Sequence, residues 1–222
     1  MESDISKRRD RLNTIILMTV VLIAIEVTKQ LPHLLQTAPG VIVALATSKG
    51  IYELLITSMT AAINNSNVFL RAFWGTLYIK GFWSYEYTLD GKLYRGVWEI
   101  QQDINGIKVV GNGLDDDFRL RTIVRSVSPL IEEAGGYFVI NSRNEMAQGN
   151  QKVFSKTTLL ISKPKHFWQR SLAMRAITEV YGGTSDKQVH PNVIFRLHTN
   201  VDSIEELIDE MKSAQQLTPS PT

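Results

Sequence analysis

Two long apolar segments in the first third of the chain, followed by strand-like alternation in the rest, constrain the fold more than any other feature. Residues 12–31 have an uncharged core between Thr14 and Ile25, and a second apolar segment covers residues 38–63. A helix of about 20 residues rises about 30 Å, which matches the hydrocarbon thickness of a bilayer. The pattern predicts a transmembrane helical hairpin over residues 12–63, preceded by a basic cytoplasmic N-terminus over residues 1–11.

Each apolar segment also has another interpretation. Basic residues before the first segment are typical of a cleaved signal peptide, although no small-residue cleavage site follows promptly. The alternative for the second segment is a buried helix of a soluble domain. A hairpin explains both segments together, and the excess of Lys and Arg before residue 12 then places both chain termini in the cytoplasm.

Three charged residues fall within the predicted spans. An ionisable side chain inside a bilayer is costly, so Glu26, Lys49 and Glu53 indicate a function. Lys49 and Glu53 are four residues apart and therefore share one helical face. One interpretation is a self-neutralising pair that tolerates the membrane, and the other is that these groups hold helices together in an oligomer or line a wet path.

Residues 64–80 predict an amphipathic linker helix after the hairpin. Apolar side chains recur at helical spacing from Val68 to Tyr78, and the asparagines before them suit a helix N-cap. An extra edge strand is the alternative, because Gly75 weakens a helix.

From residue 81 onward the period of the pattern changes to two. Trp83, Tyr85 and Tyr87 share one strand face, and Asp90 with Gly91 predicts a hairpin turn into the next strand. Six further strands are predicted at residues 106–111, 118–127, 136–142, 152–162, 172–181 and 192–199.

Eight consecutive strands with short connections favour an eight-stranded antiparallel up-and-down β-barrel over a sandwich, since closure removes exposed edges. The barrel is predicted over residues 81–200, a C-terminal helix over residues 201–216 and a disordered tail over residues 217–222. The predicted fold class is therefore a membrane α-helical hairpin plus an all-β domain.

Few residues indicate catalysis. The four histidines show no metal-ligand spacing, and the chain has no Gly-x-Ser-x-Gly motif, phosphate-binding loop or cysteine. The acidic run at residues 115–117 fits a turn better than a metal site. We therefore expect no enzymatic activity, no metal and no cofactor. The formal net charge of +2 does not favour DNA or RNA as a partner.

Aromatic residues in the first hairpin and arginines in later strands predict a nucleotide site, because rings stack on bases and guanidinium groups bind phosphate. The candidates for stacking are Trp83, Tyr85, Tyr94 and Trp98, and those for phosphate are Arg119, Arg121 and Arg196. Arg95 ranks lower, because it lies on the opposite strand face from Trp98. The alternative is an ordinary barrel whose arginines are solvated.

The order of parts resembles the membrane effectors of CBASS anti-phage defence, in which two transmembrane helices precede a cyclic-nucleotide-sensing β-barrel. Residues 81–87 (GFWSYEY), 91–102 (GKLYRGVWEIQQ) and 107–111 (IKVVG) are similar to the aromatic opening hairpin of that barrel. The resemblance implies a multi-pass protein of the bacterial inner membrane. It also implies that the cytosolic barrel binds a cyclic oligonucleotide second messenger, a dinucleotide being expected.

In that family, binding triggers self-association, disruption of the lipid bilayer and cell death. Two alternatives belong to other classes: a membrane-anchored barrel that binds a lipid or fatty acid, and a non-enzymatic membrane scaffold.

Overall fold

The computed structural model describes residues 4–30, 38–89, 91–127, 131–133, 137–147, 152–161, 170–181 and 188–217. The chain divides into two compact units, Met1–Phe73 and Trp74–Thr222. The first unit is helical, and the second contains all the strands that the structure describes. The predicted turn at Asp90 and the tail residues 218–222 lie outside the described residues.

The helical unit consists of α1 (Asp4–Gln30), α2 (Ala38–Asn65) and most of α3 (Asn67–Trp74). Helices α1 and α2 contact each other. Arg8 Nη1 donates a hydrogen bond of 2.7 Å to the carbonyl oxygen of Phe73. Ser66 caps α3, because its Oγ accepts a hydrogen bond from the backbone amide of Phe69. The chain is therefore helical over both predicted apolar segments, as far as the structure describes them.

Helix α1 buries only part of its apolar surface. Ile16 and Val20 are buried, whereas Leu17, Met18 and Leu22 are more than half exposed. Helical periodicity accounts for the difference, since Ile16 and Val20 are four residues apart on one face. The opposite apolar face of α1 is not covered by any residue that the structure describes.

One finding shows that the predicted transmembrane hairpin is wrong. In the described part of the chain, no helix combines the length and the apolar character needed to cross a membrane. Charged side chains occur in both helices, Glu26 in α1 and Lys49 with Glu53 in α2, and a charge inside a bilayer is costly. All three are exposed, and Lys49 Nζ lies 3.8 Å from Glu53 Oε1 as an ion pair one turn apart.

The second unit is an eight-stranded closed antiparallel β-barrel with a C-terminal helix, which confirms this part of the predicted fold. A 3₁₀ helix at Gly75–Leu77 comes first. The strands are β1 (Gly81–Leu89), β2 (Lys92–Asp103), β3 (Gly106–Leu114), β4 (Leu120–Ser126), β5 (Ile131–Glu133), β6 (Tyr137–Met146), β7 (Lys152–Ile161), β8 (Ala173–Tyr181) and β9 (Gln188–His198). The helix α4 (Ile204–Leu217) follows.

Pairing of β4 with β6 closes the ring. The strand order is β4-β3-β2-β1-β9-β8-β7-β6, and residues from Thr122↔Met146 to Ser126↔Ser142 pair across the closing seam. The short strand β5, which the sequence did not predict, pairs with β6 beyond this seam. In a closed ring, alternate residues of each strand face the interior.

One end of the barrel is filled by large side chains and sealed by the segment before β1. Trp83, Phe138 and Leu159 are fully buried there. The side-chain amide of Gln102 accepts hydrogen bonds from the backbone amides of Ile79 (2.9 Å) and Lys80 (3.1 Å), and it donates to the carbonyl oxygen of Leu77 (3.1 Å). These bonds satisfy the buried backbone of the sealing segment. Residues 77–80 are called the plug below.

Helix α4 packs on the outer wall of the barrel, across β1 and β2. Leu207 is fully buried in a cluster with Val97, Leu114 and Val201. Arg95 points outward from β2, where its Nη1 donates a hydrogen bond of 2.6 Å to Gln215 Oε1 of α4. The apolar face of α4 thus uses the outward face of β2, while the inward face of β2 remains available to the interior.

Polar side chains also fasten α4 to the barrel. Ser84 Oγ lies 2.8 Å from His198 Nε2, and His198 Nδ1 lies 3.3 Å from Glu210 Oε1. The order of groups is that of a serine, histidine and carboxylate relay. Ser84 is buried in the middle of β1, between β2 and β9, so its backbone belongs to the ladder and offers no oxyanion hole. In the structure these two contacts connect β1, the end of β9 and α4.

Truncation of the α4 contact tests this packing. Leu207→Ala removes a fully buried side chain, and we expect the free energy of unfolding to fall by about 2–5 kcal/mol. Urea unfolding of the full chain measures it. Gln216→Ala, an exposed change on the same helix, is the control. Equal stabilities of the two variants would contradict the packing.

Candidate ligand-binding cavity

The inward face of the barrel changes from apolar to polar along three successive strands. In β6, Phe138 and Ile140 give way to Ser142 and Asn144. The paired inward residues of β7 and β8 change in the same direction, and their polar members are Ser155, Thr157 and Thr178. The end of the barrel opposite the plug therefore has a polar wall and small side chains.

Glycines make room on the other wall. Gly96, Gly111 and Gly113 occupy inward positions of β2 and β3. A Cβ atom on Gly111 would clash with Trp98 Cδ1, and one on Gly96 would clash with the Tyr85 hydroxyl. Absence of side chains at these positions lets the rings of β1 and β2 lie against the wall.

The resulting cavity has a volume of about 480 Å³, within the usual range of about 300–1,000 Å³ for small-ligand sites. One wall is aromatic. The rings of Tyr87 and Tyr94 stack at 5.1 Å between centroids, and Tyr87 also contacts His190 at 4.9 Å. Deeper in the cavity, Trp98 lies 4.6 Å from Phe195 between centroids.

The opposite wall carries hydroxyl and amide groups. Ser142 Oγ lies 2.8 Å from Ser155 Oγ, and Asn144 Nδ2 donates a hydrogen bond of 3.1 Å to the same Ser155 oxygen. Thr157 Oγ1 and Thr178 Oγ1 are 3.1 Å apart. These bonds satisfy several buried polar groups and fix the shape of the wall.

Arg121 supplies positive charge at the open end. It has no Cα partner on β3, because the register shifts between Gly113↔Thr122 and Leu114↔Leu120. Such a bulge re-aims a side chain, and the Arg121 guanidinium carbon lies 5.0 Å from the centre of the Tyr94 ring. Among the described residues, no carboxylate forms an ion pair with Arg121. Lys152, which is exposed, also lines the opening.

Several residues that line the cavity carry a buried polar atom without a hydrogen-bond partner in the described part of the chain. They include the donors Trp98 Nε1 and Arg95 Nε and the acceptor Asn144 Oδ1. Trp98 as a whole is 4 % exposed.

Burial changes the acidity of the cavity tyrosines. Desolvation raises the pKa of Tyr85 far above its ordinary value, and the neighbouring Tyr87 adds to the shift. Desolvation, assisted by Tyr94, raises the pKa of Tyr87 from 10.0 to about 12, while the Arg121 guanidinium opposes it. Both phenol groups therefore stay protonated, and able to donate a hydrogen bond, at a pH where an exposed tyrosine begins to ionise.

The structure brings together four of the predicted site residues and separates the other three. Tyr85, Tyr94, Trp98 and Arg121 line the cavity. Trp83 faces inward beneath it, and its Nε1 donates to the carbonyl oxygen of Ile79 in the plug.

The remaining two predicted residues are arginines on the outside. Arg119 is exposed, and its Nη1 lies 3.8 Å from Asp117 Oδ2. Arg196 is exposed on β9, where it pairs with Ser84 and Ala173. Whether any predicted residue binds a ligand stays a prediction.

Several cavity residues were not singled out from the sequence, namely Asn144, Lys152, Ser155, Thr157, Thr178 and His190. The sequence signal that could have identified them is a change from apolar to polar residues at alternate positions of a strand, as in Phe138, Ile140, Ser142 and Asn144 of β6. To use this signal, one must know which alternate residues face inward in β6, β7 and β8. In the described residues, no three His, Cys, Asp or Glu side chains form a group that could hold a metal ion.

Comparisons with family models, with curated proteins and with solved structures give no match to this chain. The resemblance to CBASS membrane effectors is therefore wrong, since no family model supports it and no described helix could span a membrane. The opening hairpin that suggested the resemblance is accounted for by packing: its inward rings cover the glycine wall.

High pH tests the burial of the tyrosines. A folded-state pKa that is raised above the unfolded value contributes stability below the unfolded pKa, and this contribution is lost as pH rises through the folded pKa. For Tyr87 the window runs from pH 10.0 to about 12. We expect the stability of Tyr87→Phe to fall less steeply than that of the wild-type chain in this window, as measured by urea unfolding. Identical slopes would contradict the burial of the Tyr87 hydroxyl.

Proposed function

We propose that the barrel binds a nucleotide, with the base inside the aromatic cavity and a phosphate at the Arg121 guanidinium. One observation carries the proposal: a cation without an ion-pair partner among the described residues is held over an aromatic ring at the opening of a ligand-sized cavity. A ligand that satisfies both features has a planar ring and a negative charge.

Arg121 suits a phosphate for geometric reasons. A guanidinium group presents several donors in one plane and binds phosphate through two parallel hydrogen bonds. Contact with the Tyr94 ring holds the guanidinium at the opening while leaving its donors free of described carboxylates. The cation is therefore positioned before a ligand arrives, which lowers the entropic cost of binding.

The aromatic wall suits a base. Base–aromatic stacking is worth about 1–3 kcal/mol per base, and the rings of Tyr85, Tyr94 and Trp98 all line one cavity. The polar wall opposite, with Ser155, Thr157 and Thr178, offers hydroxyl groups to a sugar. Each hydroxyl group can donate once and accept twice, so these groups can bond to a sugar while they keep their bonds to one another. An alkyl chain cannot use this capacity, so the walls favour a nucleotide over a fatty acid.

A cyclic dinucleotide, which the sequence analysis predicted, belongs to this ligand class. It carries two bases and two phosphates, and Lys152 at the opening is a second cation for it. All the residues proposed to bind the ligand line the cavity of the barrel.

Titration calorimetry of the full chain tests the proposal with GMP, AMP, cyclic di-GMP, cyclic di-AMP and palmitate. We expect at least one nucleotide to bind, and Arg121→Gln to weaken its binding by about 10- to 100-fold, because hydrogen bonds to charged groups contribute about 1.5–3 kcal/mol. Arg119→Gln removes an exposed arginine on the outside and should leave binding unchanged.

Two results would overturn the nucleotide assignment. One is binding of palmitate with no response to any nucleotide, which would favour the fatty-acid alternative. The other is an equal loss of nucleotide affinity in both arginine variants, which would show a diffuse charge effect.

A further inference from the structure

The cavity contains an unsatisfied donor and an unsatisfied acceptor in the same enclosed space. Trp98 Nε1 and Asn144 Oδ1 are buried and have no hydrogen-bond partner among the described residues. A buried polar group left in this state destabilises the folded protein. Native structures retain few such groups, and each one calls for an explanation such as strain, a functional role or a bound water or ion.

The indole of Trp98 differs from the other two indoles that the structure describes. Trp83 Nε1 donates to the carbonyl oxygen of Ile79 at 2.8 Å, and Trp74 Nε1 donates to the carbonyl oxygen of Asp103 at 3.0 Å. Both of these partners are backbone carbonyl groups of the second unit. Trp98 alone among the three described indoles faces a cavity without such a partner.

Strand pairing places the two residues at the same level of the inward face. Trp98 pairs with Gly111, Gly111 with Val124, and Val124 with Asn144, so one row of paired residues joins them across four strands. The Cδ1 atom of Trp98, which is bonded to Nε1, lies against the bare backbone of Gly111. The N–H edge of the indole is therefore on the side of β3 and β4, which leads toward Asn144.

We propose that Trp98 Nε1–H and Asn144 Oδ1 recognise the polar edge of the ligand's base, the indole donating to a ring acceptor and the amide accepting from a ring N–H group. The assignment rests on the proposed nucleotide function and deepens it, because it orients the ligand with the base edge inward and the phosphate at Arg121. Nucleobases carry adjacent donors and acceptors on their edges. A ribose phosphate without a base has no such edge.

The test uses Trp98→Phe, which keeps an aromatic ring but removes the donor. Loss of ring volume should lower the melting temperature of the free protein, and removal of an unsatisfied donor should offset part of this loss. Affinity for the tightest nucleotide of the panel should fall about tenfold, in line with about 1–1.5 kcal/mol for a hydrogen bond. Affinity for ribose 5-phosphate should not change.

Trp74→Phe is the matched control, because it removes an indole donor that is already satisfied outside the cavity. This variant should melt at a lower temperature and bind the nucleotide as the wild-type chain does. Asn144→Leu provides a second test of the base edge, and it should also reduce nucleotide affinity without reducing ribose 5-phosphate affinity.

The outcomes separate the two proposals. If the wild-type chain binds no nucleotide, the proposed function fails. If it binds a nucleotide and both Trp98→Phe and Asn144→Leu bind it with wild-type affinity, only the recognition of the base edge is overturned. Equal losses for the nucleotide and for ribose 5-phosphate would also overturn it, since the base edge would then not be what is recognised.

Discussion

Pairing of β4 with β6 is the constraint on which the barrel depends. Once the seam from Thr122↔Met146 to Ser126↔Ser142 closes the ring, every second residue of each strand is committed to an enclosed space. At the plug end this space is filled by large rings and aliphatic side chains such as Trp83 and Phe138. At the other end, bare glycine backbone and small hydroxyl side chains leave about 480 Å³ unfilled. One topological closure therefore produces both a core and a cavity, and the choice of inward residues sets the boundary between them.

The fold was predictable where local pattern and global packing agree. Period-two alternation from residue 81, with turn residues between the strands, identified the eight strands of the ring, and the apolar periodicity after residue 203 identified α4. Strand β5 has only three residues, too few to show a period. Apolar length identified helices in the first third, but hydropathy does not say what surrounds a helix. Glu26, Lys49 and Glu53 were interpreted as functional groups in a bilayer. The structure shows them exposed on helices of which no described part is long and apolar enough to cross a membrane, and their role stays a prediction.

The site was predictable only as far as strand phase is regular. Alternation placed Tyr85 and Trp98 on the inward face and Arg95 on the outward face. Arg95 does bond to Gln215 of α4, and the same side chain also belongs to the cavity lining. Regular alternation would place Arg121 on the outward face, because its neighbour Thr122 faces inward. A register shift that no sequence pattern reveals brings the Arg121 side chain to the opening. Arg119 and Arg196 have the right chemistry but lie outside the ring. Asn144 was not predicted as a site residue, because an asparagine in a strand indicates a cavity wall only when the neighbouring inward residues are known.

The central claim is that the cavity receives a base at the Trp98 indole. Nuclear magnetic resonance of ¹⁵N-labelled full chain tests it most directly, because each indole N–H group gives its own signal. The account predicts that a bound nucleotide shifts the Trp98 signal downfield, as expected for a new hydrogen bond, while the signals of Trp74 and Trp83 stay in place because their N–H groups are already bonded to carbonyl oxygens. A saturating nucleotide that leaves the Trp98 signal unchanged would contradict the account.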